Sequence, residues 1–186
     1  MFDELHLSDF KQFRHCVQKQ SVLEAIDAKL RDVNRQVWSQ NLYKHVRIGR
    51  NKLRTYRQFK SDFATEMYLK KPLPFKVRQC FAALRCGTAP LRIETGRYEG
   101  LNEDERLCQV CENNTIENEM HFLMLCPAYN NERQKLLQIA SQVVNGFYDL
   151  SMHDQFVILM KDANLCHVTA RACYKMFSSR KSLLFK

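Results

Sequence analysis

Three cysteines and one histidine lie close together near the middle of the chain. Cys108, Cys111, His121 and Cys126 read Cys-x2-Cys-x9-His-x4-Cys. Three soft thiolates and one imidazole are the ligand set of a closed, tetrahedral zinc site. The first pair is spaced for a tight turn that points both sulfurs at one ion, and the second pair lies on a short apolar segment that can return to meet it. The spacing therefore predicts one structural Zn²⁺ bound by these four residues.

Other uses of these cysteines fit the sequence less well. Free cysteine is often just a small buried apolar residue, but four ligand-type residues so close together rarely arise that way. A redox Cys-x-x-Cys favours a βαβ context, which is not visible around Cys108, and it would leave His121 and Cys126 unexplained. A catalytic zinc keeps an open position, whereas four protein ligands close this one. Glu117 is a candidate acceptor for the second imidazole N–H, with a solvated carboxylate as the equal alternative.

The net charge of +9 is distributed unevenly along the chain. Residues 44–97 contain 14 Lys or Arg and three acids, residues 98–121 contain seven acids and one base, and the last 16 residues contain five bases and no acid. Basic stretches of this kind suit nucleic acid or an acidic protein surface, and a solvated helix face is the alternative. The acidic loop and the three thiolates make the metal site itself a poor phosphate binder.

A basic segment upstream of the cysteines is the candidate nucleic-acid surface. Its arginines are 3, 4 and 3 positions apart, which places them on one stripe of a continuous helix, and Tyr43 and Tyr56 lie nearby for base stacking. Gly49 interrupts this pattern, and an ordinary amphipathic helix is the alternative. We predict phosphate contacts to RNA or DNA, without sequence preference, from Arg47, Arg50, Lys52, Arg54, Arg57 and Lys60.

The rest of the sequence favours helices around an apolar core. The chain has 186 residues, of which 45% are hydrophobic, and it has only five Gly and four Pro. We predict an all-α fold with a Cys3His zinc-stapled turn near its middle, at 107–127. The predicted domains are a helical linker-like segment, 1–45, and a helical zinc-binding domain, 46–186. Periodicity and helix-breaking residues predict a loop that can include one short strand at 86–101, and helices at 8–46, 52–69, 75–85, 127–144, 152–161 and 165–184.

Several functional classes are disfavoured by motifs that the sequence lacks. The longest apolar run, FVILM, is far shorter than the roughly 18 residues that span a bilayer, so we expect no membrane segment. The N-terminus has no secretory signal, and eight cysteines then indicate a reducing compartment, so we expect an intracellular protein of the nucleus or cytoplasm. Because no P-loop, GxGxxG, HExxH or GxSxG motif is present, we expect neither enzyme activity nor a small-molecule substrate.

Residues 45–186 resemble a known family, most strongly over 52–133. The stretches KLRTYRQFKSDF, LRCGTAPLRIETGRYEGL and RLCQVCENNTIENEMHFLMLCPAYNNER look like the C-terminal region of non-LTR (LINE-type) retrotransposon polyproteins, which holds the reverse-transcriptase zinc-binding domain. The resemblance implies the same four metal ligands and binding of the element's RNA or target DNA. The chain lacks the Tyr/Phe-x-Asp-Asp polymerase motif and an endonuclease segment. We therefore expect a non-enzymatic nucleic-acid-binding domain, with a protein-interaction module or an inactive relic as the alternative.

Overall fold

A computed structural model describes residues 19–43 and 53–185 of the chain. The chain divides into two units, residues 1–51 and residues 52–186. Across the described residues there are six α-helices, several 3₁₀ turns and one isolated antiparallel bridge between Leu107 and Ile116, and no strand is formed. The predicted all-α fold is confirmed. The predicted domain boundary between residues 45 and 46 lies outside the described residues.

The described part of the first unit is one helix, α1, which spans Lys19–Tyr43. It contains no Gly or Pro and is rich in residues that lose little side-chain freedom in a helix. Side-chain pairs four positions apart support it, because Gln20 donates to Glu24 at 3.0 Å and Arg31 pairs with Asp27 at 2.5 Å. The predicted helix is confirmed here, and its remaining positions lie outside the described residues.

The second unit is built on the packing of two helices, α2 (Phe75–Cys86) and α6 (Cys166–Leu184). Between them in sequence come the single-turn α3 (Arg92–Thr95), α4 (Asn130–Val143) and α5 (Met152–Lys161), and both α4 and α5 pack on α6. The largest fully buried side chains come from several of these elements and from the loops that join them. They include Phe81, Leu84, Leu91, Phe122, Leu123, Tyr129, Leu136, Phe147, Phe156, Leu159 and Met160.

The later helices agree closely with the sequence prediction. α5 has the predicted bounds, and α2 and α6 differ from theirs by one residue. Gly87 ends α2 with a φ of 70°, a left-handed conformation that glycine adopts without steric cost. The predicted helix after Cys126 begins as a 3₁₀ turn, Pro127–Tyr129, and continues as α4. Over the part of the chain that is described, no helix combines the length and the apolar character needed to cross a membrane.

Two local predictions are wrong. Residues 53–70 do not form the helix predicted for 52–69, and they contain only two 3₁₀ turns, Tyr56–Gln58 and Met67–Lys70. Their apolar side chains do not share one face, because Phe59 is buried while Phe63 is 45% exposed. The short strand predicted within 86–101 is also absent, because α3 forms there.

Buried Arg85 explains the conformation of residues 53–70. Its guanidinium lies 4.3 Å from the centre of the Phe59 ring, and Nη2 donates to Glu66 Oε2 at 2.5 Å. Burial lowers the pKa of Arg85, and the Glu66 carboxylate opposes this effect. These tertiary contacts outweigh the helical periodicity of residues 53–70, because this segment wraps around the Arg85 guanidinium. Four aromatic rings enclose it: Tyr56, Phe59, Tyr68 and Phe81.

Replacement of this arginine tests its contribution to stability. We expect Arg85→Ala to lower the free energy of unfolding by about 2–3 kcal/mol, because it removes the hydrogen-bonded ion pair with Glu66 and the packing of aromatic rings on the guanidinium. Chemical denaturation measures this change. The control is Arg171→Ala, which removes an exposed arginine from α6 and should change stability by less than about 0.5 kcal/mol. Equal effects of the two variants would show that Arg85 does not hold the segment.

Candidate metal centre

The four predicted metal ligands come together in the second unit. Cys108 and Cys111 lie on a loop that is closed by the bridge between Leu107 and Ile116, where Cys108 N donates to Thr115 O at 2.9 Å. The other two ligands lie at the two ends of a single π-helical turn, His121–Leu125: His121 is its first residue, and Cys126 follows it directly. The ligand atoms of all four residues lie within 4.8 Å of one another, so this Cys3His group can hold a metal ion.

The ligand atoms are largely withdrawn from water. Cys108, His121 and Cys126 are buried and Cys111 is half-buried. Cys111 Sγ lies 3.5 Å from His121 Nε2, so Nε2 is the imidazole atom that faces the sulfurs. Hydrogen bonding from the Cys126 thiol lowers the pKa of Cys108 to about 3, and the same interaction raises the pKa of Cys126. A lowered pKa favours the thiolate form of Cys108, which is the form that binds metal.

The π-helical turn sets the geometry of the second ligand pair. Cys126 N donates to His121 O at 2.7 Å, a bond that spans five residues. π-Helical turns are rare in proteins, and those that do occur are frequently located at functional sites. Arg133 of α4, itself buried, holds the turn through two carbonyls, since Nε donates to Leu123 O at 2.9 Å and Nη2 donates to Cys126 O. The turn thus presents both ligands to the loop while Leu123 enters the core.

Glu117 does not contact the imidazole of His121. Its carboxylate is fully buried and accepts hydrogen bonds from Arg180 Nε and Nη2, both at 2.7 Å, and from the backbone N–H of Arg92 at 2.7 Å. His121 Nδ1 is buried without a hydrogen-bond partner among the described residues. The predicted Glu117–His121 hydrogen bond is therefore wrong, and so is the alternative of a solvated carboxylate.

The ion pair of Glu117 and Arg180 connects the metal loop to α6. Burial acts to lower the pKa of Arg180, but the hydrogen bonds and the negative charge of Glu117, with smaller contributions from Tyr129 and Cys108, together raise that pKa. Cys108 Sγ is 3.8 Å from Glu117 Oε1, so the pair lies directly beside a ligand. The partners are 63 positions apart in the chain. No local motif relates them, which is why sequence reasoning missed Arg180 and, for the same reason, Arg133.

Three of the six basic residues predicted to contact nucleic acid fall within the described part of the chain. Residues 53–60 form turns, so the continuous helical stripe is wrong over this part. Contact of the six residues with nucleic acid stays a prediction. The three that lie outside the described residues are Arg47, Arg50 and Lys52.

The described members of this set make contacts within the chain. Arg54 Nη2 donates to Glu119 Oε1 at 2.5 Å, and the arginine side chain is 25% exposed. Lys60 Nζ lies 3.1 Å from Glu66 Oε1, and the lysine side chain is 11% exposed. Arg57 is half-buried. Because Arg54 and Lys60 are already paired with carboxylates, they offer less positive potential to a phosphate than free surface residues do.

Comparison of the chain with protein-family models, with curated proteins and with solved structures gives no match. The resemblance to retrotransposon polyproteins therefore stays a prediction that rests on the stretches of sequence quoted above. The structure establishes, independently of that resemblance, a helical unit in which a buried Cys3His group can hold a metal ion.

The buried ion pair beside the ligands gives a stability prediction. We expect Glu117→Gln to lower the free energy of unfolding by about 3–5 kcal/mol, because it leaves the guanidinium of Arg180 buried without a countercharge. Denaturant titration of the metal-loaded protein measures this change. Glu112→Gln makes the same substitution at an exposed position of the metal loop and should change stability by less than about 0.5 kcal/mol. If Glu117→Gln and Glu112→Gln have the same free energy of unfolding, the ion pair of Glu117 and Arg180 does not stabilise the fold as predicted.

Proposed function

We propose that this chain is a non-enzymatic, zinc-stabilised helical domain that binds nucleic acid through its phosphate backbone. We further propose that it derives from the C-terminal region of a non-LTR retrotransposon polyprotein, as the resemblance implies. The observation that carries the binding proposal is an acid-free pair of packed helices, α2 and α6, with lysines beside the groove between them. Phosphate binding requires such uncompensated positive charge.

Zinc is the metal that we propose for the Cys3His group. In a tetrahedral site with Zn–S of about 2.3 Å and Zn–N of about 2.0 Å, a sulfur and a nitrogen ligand are roughly 3.5 Å apart. Cys111 Sγ and His121 Nε2 are 3.5 Å apart. Three thiolates and one Zn²⁺ carry a net charge of about −1, which the buried guanidinium of Arg133 offsets, while Arg180 is paired with Glu117. Four protein ligands leave no open position for catalysis. Bound zinc would therefore have a structural role, in which its binding supplies folding free energy.

The basic surface lies on the two helices that organise the second unit. Neither α2 nor α6 contains an Asp or Glu. Lys76 is exposed on α2, and Arg171, Lys175 and Lys181 are exposed on α6. At roughly 100° per residue, the three bases of α6 fall within an arc of about 120°, so they share one side of that helix. No acid on either helix competes with phosphate for these cations.

A groove of about 840 Å³ lies beside these bases. Lys76 and Lys181 line it from α2 and α6, and Tyr174 and Phe177 supply aromatic surface. Lysines and aromatic rings together are the combination that binds single-stranded nucleic acid through phosphate contacts and base stacking. Gln109, which follows the metal ligand Cys108, also lines the groove, so the metal loop forms part of its wall.

This surface is a better candidate than the basic segment predicted from sequence. Arg54 and Lys60 in that segment are paired with carboxylates, whereas Lys76 and Lys181 stand on helices without acids. Among the described residues that line the groove, the one acid is Glu99, which is paired with Arg92.

Charge reversal in the groove tests the binding surface. We expect Lys76→Glu with Lys181→Glu to weaken binding to RNA and DNA by about ten-fold or more at low salt, and to flatten the dependence of binding on salt, because phosphate contacts are lost. Titration of single- and double-stranded probes at two salt concentrations measures both effects.

A second double variant makes the same change of net charge elsewhere. Lys135→Glu with Lys161→Glu alters exposed lysines of α4 and α5 that do not line the groove. This protein should lose much less affinity. Equal losses in the two double variants would place binding outside the groove, and no binding by the zinc-loaded wild type at low salt would overturn the proposed function.

The metal is tested by elemental analysis of the purified protein. We expect one zinc per chain, and we expect Cys126→Ser to lose that zinc and to melt at a lower temperature, because bound zinc contributes folding free energy. Cys173→Ser changes another buried cysteine, one outside the Cys3His group, and should retain the metal. Zinc that persists in Cys126→Ser, or a wild-type protein that binds none, would refute the assignment.

A further inference from the structure

Helix α1 carries a narrow apolar stripe with the spacing of a coiled coil. Leu23, Ile26, Leu30, Val33 and Val37 follow one another at intervals of 3, 4, 3 and 4 residues. This alternation is the heptad pattern in which positions a and d face a partner helix. With Leu23 at a, positions 23, 30 and 37 are a positions, and positions 26 and 33 are d positions. We call these five residues the α1 seam.

The α1 seam is narrow, with its three a positions exposed and its two d positions, Ile26 and Val33, half-buried. Leu23, Leu30 and Val37 are 50%, 39% and 49% exposed. A helix that packs into a globular core usually carries a wider apolar stripe, which includes e or g positions as well, whereas an a/d-only stripe is typical of a coiled coil. The e and g positions between residues 27 and 36 are all polar: Asp27, Lys29, Asn34 and Gln36.

No a or d position between residues 23 and 37 carries a charge. A second helix laid along the seam would therefore bury no unpaired charge, which would otherwise be costly. Exposed ion pairs lie outside the a and d positions: Arg31 with Asp27, an e residue, at 2.5 Å, and Arg35 with Asp32 at 3.2 Å. These pairs can stay solvated while the seam is covered.

We propose that α1 self-associates, with the seam of one chain packed against the seam of another copy. A surface that is complementary to itself is what a symmetric homo-oligomer requires, and a regular a/d seam has this property. Leucine at a with isoleucine at d favours more than two parallel helices. The seam covers roughly two heptads, so the association is weak and depends on concentration.

Sedimentation of the full, zinc-loaded chain over a wide range of concentrations tests self-association. The mass should rise from that of the 22.1 kDa chain towards a multiple of it. Leu30→Glu places a charge in the seam and should keep the protein monomeric at every concentration. Ala28→Glu adds the same charge at the exposed f position two residues earlier and should associate as the wild type does.

A second matched pair tests whether the seam can be extended. Gln40 occupies the next d position, so Gln40→Leu should lower the concentration at which association begins by about ten-fold. Ser39→Leu adds the same side chain at the neighbouring c position and should not lower it. The proposal is overturned if the wild type and Gln40→Leu both remain monomeric. It is also overturned if Leu30→Glu is less stable than the wild type but has the same mass at every concentration. That result would show that the seam packs within its own chain.

Discussion

The buried ion pair between Glu117 and Arg180 connects the metal loop to the central helix of the second unit. Both hydrogen bonds between the two side chains are 2.7 Å long, and Glu117 is fully buried. α6 also packs against α2, α4 and α5, so the pair fixes the loop to the helix that organises this unit. Because burial of a lone carboxylate or guanidinium is costly, each side chain depends on the other, and the metal group depends on both.

The residues that stabilise the second unit are different from those that we propose to bind nucleic acid. Three of the four metal ligands are buried, whereas exposed lysine and arginine side chains lie on α2 and α6, which contain no Asp or Glu. Gln109 connects the two regions, because it directly follows a ligand and also lines the groove. Loss of metal should therefore affect binding through the shape of the groove. Self-association through the α1 seam would add a further effect, because it would bring several basic surfaces to one nucleic-acid strand.

Local sequence patterns predicted those features whose causes are local. The spacing of the four ligands identified the Cys3His group, and local sequence patterns located α2, α5 and α6, with Pro74 and Gly87 at the two ends of α2. Residues 53–70 were predicted wrongly because Arg85, which lies further along the chain, determines their conformation. The partner of Glu117 was missed because Arg180 is 63 positions away. The π-helical turn before Cys126 depends likewise on Arg133 of α4.

The most direct test of a zinc-stabilised binding domain is the affinity of one protein sample for single-stranded RNA at low salt, measured with zinc, after chelation, and after zinc is restored. Closed zinc sites contribute folding free energy, so the fold that forms the groove should be lost with the metal. Binding is expected to disappear on chelation and to return with zinc. Binding that is unchanged by chelation, or that is absent while zinc is bound, would contradict the proposal.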